Sequence, residues 1–572
     1  MTDNNQFRTH RALSSKSWRI KNSNKELPII QRLLLNRGLE NLEQQEEFLH
    51  PETMTLADPF LMKDMEKALV RINQALDQQE RIMIFGDYDV DGVTATAILY
   101  KLLTDLGGQV TYRLPHRLED GYGLSKKAVE EASQLGVKLL ITVDCGISCA
   151  AEVELANELG VEVIVTDHHQ LPEKLPDAAI AIVHPLQPEC RYPFKELTGA
   201  GVAYRLASAL ISRHFAIEEQ PKVEAKFRDL AMLGTIADCM PLISENRAIV
   251  YQGLQQLQKT EWPGLGALKS LCFPKNTGHL DSMNIGYTIA PRLNAAGRID
   301  TPYFALQTIL SEKTKAGQFA RKLEEINIKR KEVTEQIYRE AEQQIQSQLN
   351  SQMVLIAKSK GWHPGVVGLV AGRLAEKYSL PVMIMHQEGN ELTGSCRGPK
   401  TCNWIEALTE QAGQLVKFGG HHQAAGFTIS QSNVDQFIKR IQKYFRSKLS
   451  GKHDLTDILN VETQVTLEDL NWQLYKEIQS MQPFGPANEL PVLCLKNIYL
   501  QDVSFIGSDK QHLKARIPMS GKDELDVIGF RFAEFFQKGG RERPVDLAFT
   551  FEENVFRNQR KLQLKVVDLK FS

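Results

Sequence analysis

Carboxylates and imidazoles able to hold divalent cations stand at the ends of three short apolar runs in the N-terminal half of this chain. Ile82 to Phe85 leads into Gly86-Asp87-Tyr88-Asp89-Val90-Asp91-Gly92, Leu139 to Val143 ends in Asp144, and Val161 to Val165 leads into Thr166-Asp167-His168-His169. Carboxylates gathered in one place repel one another and are costly to keep ionised unless cations offset the charge. Oxygen ligands with one or two imidazoles suit Mg2+ or Mn2+, and the imidazole tilts the choice toward Mn2+. Cations held this way activate water and stabilise charge on phosphorus, which is the chemistry of phosphodiester hydrolysis. Two other readings of the acids fail on the residues. Asp-x-Asp-x-Asp-Gly opens an EF-hand loop only with Glu at its twelfth place, where Ile98 stands. A phospho-acceptor aspartate at a strand end leaves His168 and His169 without a role.

These groups can meet only if the fold gathers them. The three runs, with Ile180 to Val183, are short, rich in β-branched residues and bounded by Gly, Asp or Pro, which predicts buried strands. Thr94 to Leu106 reads as a helix closed by Gly107 and Gly108. Strands alternating with helices predict βαβ units and a mostly parallel sheet, whose ligands sit beyond the carboxyl ends of the strands. A more helical stretch follows from about Ala203 to Thr308. Glu312 to Leu349 then carries an apolar stripe at helical spacing: Phe319, Leu323, Ile326, Val333, Ile337, Ala341, Ile345 and Leu349. That is a bundle helix or a spine joining two lobes, and both readings stand. A second α/β pattern runs from Met353 to about Ser450, with strand-like Val354 to Ala357 and Pro381 to Met385. Beyond Asp457 alternation in Leu525 to Phe530, Val545 to Phe551 and Leu562 to Leu569 predicts a small antiparallel barrel or sandwich.

At 572 residues the chain exceeds one ordinary core, so two to four domains are expected. A hydrophobic content of 42% with 24% charged residues fits a globular protein rather than a disordered or membrane chain. The first 25 residues hold no apolar leader segment, and no later run is long enough to span a bilayer. Eight cysteines without a C-x-x-C pair argue against a zinc ribbon or disulfide framework, and for reduced thiols in a cytoplasm. A net charge of -2 requires any nucleic-acid surface to be local. No phosphate loop of the G-x-x-x-x-G-K-[ST] type is present, so no nucleotide cofactor is implied.

Asp89-x-Asp91, Asp144 and Asp167-His168-His169, in this order on an α/β scaffold, resemble the DHH phosphoesterase superfamily. The resemblance extends to Leu233-Gly234-Thr235-Ile236-Ala237-Asp238, Arg292 to Arg298, Gly361 to Gly368, Ser395 to Gly398 and Gly419 to Phe427. It runs from about residue 50 onward and points to the branch of bacterial single-strand-specific 5′-to-3′ exonucleases. It implies that Asp91, Asp144, His168 and Asp238 hold one metal and Asp89 and Asp144 a second, Mn2+ or Mg2+, with Asp144 bridging. His169 would lie beside the metals, orienting groups or contacting the scissile phosphate, and Asp87 would be a further metal ligand or would fix the loop.

The implied architecture has five parts. They are an N-terminal segment (1–48), a parallel-sheet DHH catalytic domain (49–311), a connecting helix (312–350), a smaller α/β DHHA1-like lobe (351–452) and an oligonucleotide-binding-fold-like (OB-like) β-barrel (453–572). Ser395, Arg397, Gly420, His421 and His422 combine accessible backbone amides, a guanidinium and imidazoles, a set suited to a phosphate. Arg117 and Tyr122 are candidates for the same task, and Arg292, Asn294 and Arg298 for gripping the backbone near the cut. In the last domain Lys510, Lys514, Arg516, Arg531 and Arg557 lie among Phe505, Phe530, Phe532 and Phe556, suiting a single strand by phosphate contact and base stacking. The expected partner is single-stranded DNA in repair and recombination, with a single-strand-binding protein and a helicase besides; the expected form is a monomer. The alternatives are a small-substrate phosphodiesterase acting on oligoribonucleotide, cyclic dinucleotide or pyrophosphate, and a non-catalytic scaffold on the same fold.

Overall fold

The computed structural model describes residues 16–117, 119–274, 280–349, 351–449, 458–519, 524–539, 543–556 and 559–571. They fall into two compact units, one of residues 55–451 and one made of the described residues before 55 and after 451.

In the larger unit the apolar runs form the centre of a five-stranded parallel sheet. Its strands are β1 (Arg81–Phe85), β2 (Gln109–Arg113), β3 (Leu139–Val143), β4 (Glu162–Thr166) and β5 (Ala181–Val183), in the order β2-β1-β3-β4-β5. β3 is buried along its whole length, as its unbroken apolar run requires. β2 escapes the sequence pattern because it is a half-buried edge strand, QVTYR, with few apolar residues. The chain leaves β1 for β2 on one side and returns to β3 on the other. The switch in strand order therefore falls between β1 and β3, where a crevice opens at the carboxyl ends.

Three helices cover the same side of the sheet: α1 (Val90–Asp105), α2 (Gly199–His214) and α3 (Gln220–Ala237). α1 starts four residues earlier than its apolar pattern suggests, because Asp89 caps it through bonds from the Asp91 and Gly92 amides. α4 (Ala290–Ile299) follows a π-turn at Ile285–Ile289. α5 (Lys313–Ile345) is one continuous helix that stops four residues short of the expected end at Leu349 and gives way to a 3-10 turn at Gln346–Gln348. Its first half, with Ala320 and Leu323, joins the core of the first lobe. Its second half, with Ile337, Ala341 and Ile345, packs on Leu355, Trp362, Val366 and Val370 of the second lobe. The helix thus serves both lobes as a spine.

The second lobe contains β6 (Leu355–Ser359), α6 (Pro364–Tyr378), β7 (Val382–Glu388), β8 (Glu391–Arg397), β9 (Leu415–Gly420) and β10 (Ala424–Ser430), with sheet order β9-β10-β8-β7-β6. Only β6 and β7 are parallel.

The smaller unit joins the two ends of the chain. Ser17–Ile20 pairs in parallel with Ile458–Val461. Ile29, Leu33, Leu34 and Phe48 pack into one core with Leu474, Leu493 and Phe549. Arg32 Nη1 donates to Thr463 Oγ1 at 2.9 Å and Arg37 Nε to Asn488 Oδ1 at 2.8 Å. A seven-stranded sheet runs from Thr463–Gln464 at one end to Gln501–Ile506 at the other. It is mixed rather than antiparallel, since Glu524–Gly529 and Gln559–Phe571 run parallel. The expected barrel does not close among the described residues: the end strands are unpaired with each other, and a two-residue strand offers too short a ladder to close one. No helix among the described residues is long and apolar enough to cross a membrane.

Candidate metal centre and nucleic-acid interface

The acids of the first motif are set by the junction between β1 and α1. Gly92 packs so closely on the Asp87 backbone that a β-carbon there would lie 2.5 Å from the Asp87 nitrogen. Asp91, in the first turn of α1, is buried, and its two oxygens accept from Gly199 N at 2.7 Å and Ala200 N at 2.9 Å, at the start of α2. Glycine at position 234 lets α3 approach the same carboxylate, because a β-carbon there would meet Asp91 Oδ1 at 2.3 Å. Asp144 takes a left-handed backbone (φ +60°) just past β3, and Gly199 leaves room for its side chain. Asp238 follows α3 directly and is partly exposed.

His168 brings these acids together. Its Nε2 lies 3.1 Å from Asp144 Oδ1, 3.7 Å from Asp91 Oδ2 and 3.8 Å from Asp238 Oδ2. Three sets of groups each offer ligand atoms within 4.8 Å of one another: Asp91, His168 and Asp238; Asp87, Asp89 and Asp144; and Asp144, His168 and His169. Asp144 belongs to two of the three. Its Oδ1 is buried, and although His168 Nε2 is 3.1 Å away, no hydrogen bond reaches it; Asp87 Oδ1 is likewise buried and unbonded. Buried carboxylate oxygens without donors are destabilising unless a cation takes them. Electrostatics agree. Burial, then the charges of Asp91, Asp89 and Asp87, push the Asp144 carboxyl well above the usual range. Burial and its acidic neighbours also raise Asp91 and Asp87, and lift Asp238 to about 8. A cluster that resists carrying its own negative charge, with orphaned oxygens aimed inward, fits divalent cations.

Two further groups position the site, Asp167 of the tripeptide and His184. Asp167, fully buried, accepts from Ile147 N, His168 N, His169 N and His169 Nδ1 at 2.7–3.1 Å. Burial would raise its carboxyl, but the His169 bond and charge outweigh it and hold it at about 2. Burial opposes protonation of His169, yet Asp167 carries that ring up to about 9. Asp167 was readable as part of its tripeptide; His184, the second group, had no local signal beyond its place after β5.

Beside the carboxylate cluster, the Tyr122 hydroxyl lies 3.0 Å from His169 Nδ1. The Arg117 guanidinium stacks 3.8 Å from the Tyr88 ring centroid. Arg298 donates to Gly365 O at 3.4 Å, and burial followed by Arg117 and Arg330 lowers it to about 10. Arg397 bonds Ser395 Oγ at 3.0 Å and Cys396 O at 2.8 Å, and is lowered by burial and by Arg117. Arg117, Arg298 and Arg397 therefore gather without an ion pair among the described residues, an arrangement that calls for an anion. Arg292 differs, being paired with Glu324 and bonded to Thr288 O. Asn294 Oδ1 accepts from Val90 N at 3.2 Å and so braces the loop of Asp89. Gly420, at φ +136°, sits against Ala424 O in the β9–β10 turn, where His421 and His422 are exposed.

In the smaller unit Phe530 is exposed and meets the edge of His512 at 5.2 Å, with Lys510, Lys514 and Arg531 exposed nearby in sequence. Phe532 is buried and Phe505 half-buried. Arg516 pairs with Glu524 and Asp502. Arg557 and the side chain of Phe556 lie outside the described residues.

Comparison with known proteins adds a family context. Residues 81–235 match the DHH family N-terminal domain, 351–447 the DHHA1 domain and 461–568 the RecJ OB domain. The chain is 36% identical over 544 residues to the single-stranded-DNA-specific exonuclease RecJ of Bacillus subtilis, covering 95% of this chain and 68% of that one. To RecJ of Haemophilus influenzae it is 33% identical over 568 residues, covering 96% and 97%. Crystal structures of RecJ from Thermus thermophilus match with TM-scores of 0.82 with Mn2+ and 0.75 with Mg2+. They are 28% and 27% identical, each over 97% of this chain and covering 80% and 78% of theirs.

Proposed function

The chain belongs to the RecJ family of single-stranded-DNA-specific exonucleases, and we propose from that membership and its carboxylate cluster that it removes mononucleotides from single-stranded DNA in the 5′-to-3′ direction. It is a hydrolase that depends on Mn2+ or Mg2+. The observation that carries the reading is that Asp144 shares one close group with Asp87 and Asp89 and another with His168 and His169, while His168 also joins Asp91 and Asp238.

In this reading Asp91, Asp144, His168 and Asp238 hold one cation and Asp89 and Asp144 the second, with Asp87 supporting the loop. Cations bound there would supply a water of lowered pKa and would offset charge on the scissile phosphate. The residues do the rest. Asp167 orients His169 through the contact between its Oδ1 and the ring Nδ1 at 2.8 Å, which directs the ring at the phosphate side of the crevice. Arg117, Arg298 and Arg397 with Ser395 receive the 5′-terminal phosphate, aided by backbone amides near Gly420 and by His421 and His422. Tyr122 packs the terminal nucleotide against His169. Arg292 serves by bracing α4 to α5 rather than by touching DNA, as its pairing with Glu324 suggests. The Phe530 surface stacks bases of the trailing strand.

We assign catalysis to residues 49–311, the spine to 312–350, the phosphate cradle to 351–452 and strand binding to 453–572 together with the N-terminal segment. The working form is a monomer in the cytoplasm, acting in repair and recombination beside a single-strand-binding protein and a helicase. Eight unpaired cysteines support the reducing compartment.

The test uses Mn2+ with end-labelled single strands, duplexes and RNA, alongside Asp144→Asn. The expected result is stepwise mononucleotide release from the 5′ end of single-stranded DNA only, and none from the variant. Cutting by Asp144→Asn at the wild-type rate would remove the bridging carboxylate from the mechanism.

A further inference from the structure

His184 directly follows β5, and its side chain is fully buried. Leu186 N donates to its Nδ1 at 3.0 Å, so that nitrogen presents a lone pair and the ring proton resides on Nε2. Nε2 in turn lies 2.9 Å from the carbonyl oxygen of His169. The hydrogen-bonding pattern therefore makes the ring a donor to that carbonyl.

The strand end it touches is held from the other side as well. Asp167 Oδ1 accepts the backbone N–H groups of His168 at 2.7 Å and His169 at 3.1 Å. One buried carboxylate thus fixes the amides of the pair, and one buried imidazole fixes the carbonyl that leaves it. Between these clamps His168 must present Nε2 to three carboxylates at 3.1–3.8 Å. A peptide free to rotate after His169 would loosen the backbone that carries both rings, and the freed carbonyl would lose its partner.

We propose that His184 is a positioning residue of the metal centre: by holding the His169 carbonyl it sets the direction of the His168 and His169 rings toward the cations. The proposal rests on the metal-centre reading given above. Partners that orient ligands from behind typically govern metal affinity roughly 10- to 100-fold.

The experiment compares the full-length protein with His184→Leu and His184→Gln. Mn2+ binding is followed by the electron paramagnetic resonance signal of free Mn2+, independently of turnover, and kcat and KM are measured on single-stranded DNA. His184→Leu, which fills the space without a donor, should bind Mn2+ roughly 10- to 100-fold more weakly, with lower kcat at limiting Mn2+ and KM for DNA within about twofold. His184→Gln can place an amide N–H where Nε2 stands and should recover affinity to within a few-fold. A folded His184→Leu protein with wild-type Mn2+ affinity overturns the proposal. Should that variant not fold, His184→Gln decides: a folded His184→Gln protein that binds Mn2+ roughly 10-fold or more weakly than wild type overturns the proposal equally. A wild-type protein that binds no Mn2+ sinks the metal-centre reading and the proposal with it, a result distinct from either variant outcome.

Discussion

Replacing Gly234 by alanine should damage catalysis far more than folding. Gly234 lies inside α3, and a β-carbon there would sit 2.3 Å from Asp91 Oδ1, 2.5 Å from Ala200 Cβ and 3.0 Å from Thr94 Oγ1. Non-bonded atoms prefer about 3.5 Å, so the carboxylate must retreat by about 1 Å. It cannot do so freely, because Gly199 N and Ala200 N hold both of its oxygens. The helix itself gains about 1 kcal/mol from alanine, while overpacking costs about 1–3 kcal/mol. Net destabilisation is then about 0–2 kcal/mol, which leaves the fold intact. A displacement of about 1 Å in a reacting constellation costs on the order of 100-fold in rate. The assay is initial mononucleotide release from single-stranded DNA at saturating Mn2+, with chemical unfolding of the same preparations. Gly317→Ala is the control, since its nearest neighbour to a new β-carbon is Arg321 Nη1 at 3.7 Å. It should keep full activity and gain up to about 1 kcal/mol. Wild-type rates in Gly234→Ala would refute the claim that α3 sets the position of Asp91.

Arg397→Ala should raise KM for 5′-phosphorylated single strands roughly 10- to 100-fold, the worth of one charge-assisted contact, and change KM for 5′-hydroxyl strands little; equal effects on both would place the phosphate elsewhere. Mn2+ should stabilise the wild-type protein by about 2.7 kcal/mol at a hundred times its dissociation constant, and Asp144→Asn should lose that gain in thermal melts. Asp229, fully buried, is raised to about 7 by burial, against the hydrogen bond from Thr260. A carboxyl raised above its unfolded value contributes stability that is full below the unfolded pKa of 3.8 and is lost as pH rises through 7. Asp229→Asn should therefore be more stable than wild type at pH 9, in chelator, with the difference shrinking below about pH 6; a pH-independent difference would contradict this.

Particular residues show what was readable in advance. β1, β3 and β4 were legible because buried parallel strands must be apolar on both faces, and an acid or imidazole ending such a run has nowhere to go but the crevice at the carboxyl edge. The long helix was legible because a stripe at helical spacing without proline admits little else, but only its packing into both lobes made it a spine rather than a bundle helix. Asp238 carries no such local mark: it follows a helix, and only the resemblance to a family picked it out. Arg292 and Arg298 look alike in sequence, yet Glu324 neutralises the first while the second is left among other guanidinium groups. Phe530 and Phe532 stand two residues apart, and the turn after the strand exposes one and buries the other.

The order of residues alone thus determined which elements form and which of them end in ligands, because those properties arise from neighbours along the chain. Tertiary structure decided the rest. It determined that Gly199 and Gly234 admit helices onto the carboxylates, that His184 backs the histidine pair, and that the first strand of the smaller unit pairs with one more than 400 residues later. Those outcomes depend on contacts between segments far apart in sequence, and no local pattern encodes the distance at which two such segments come to rest.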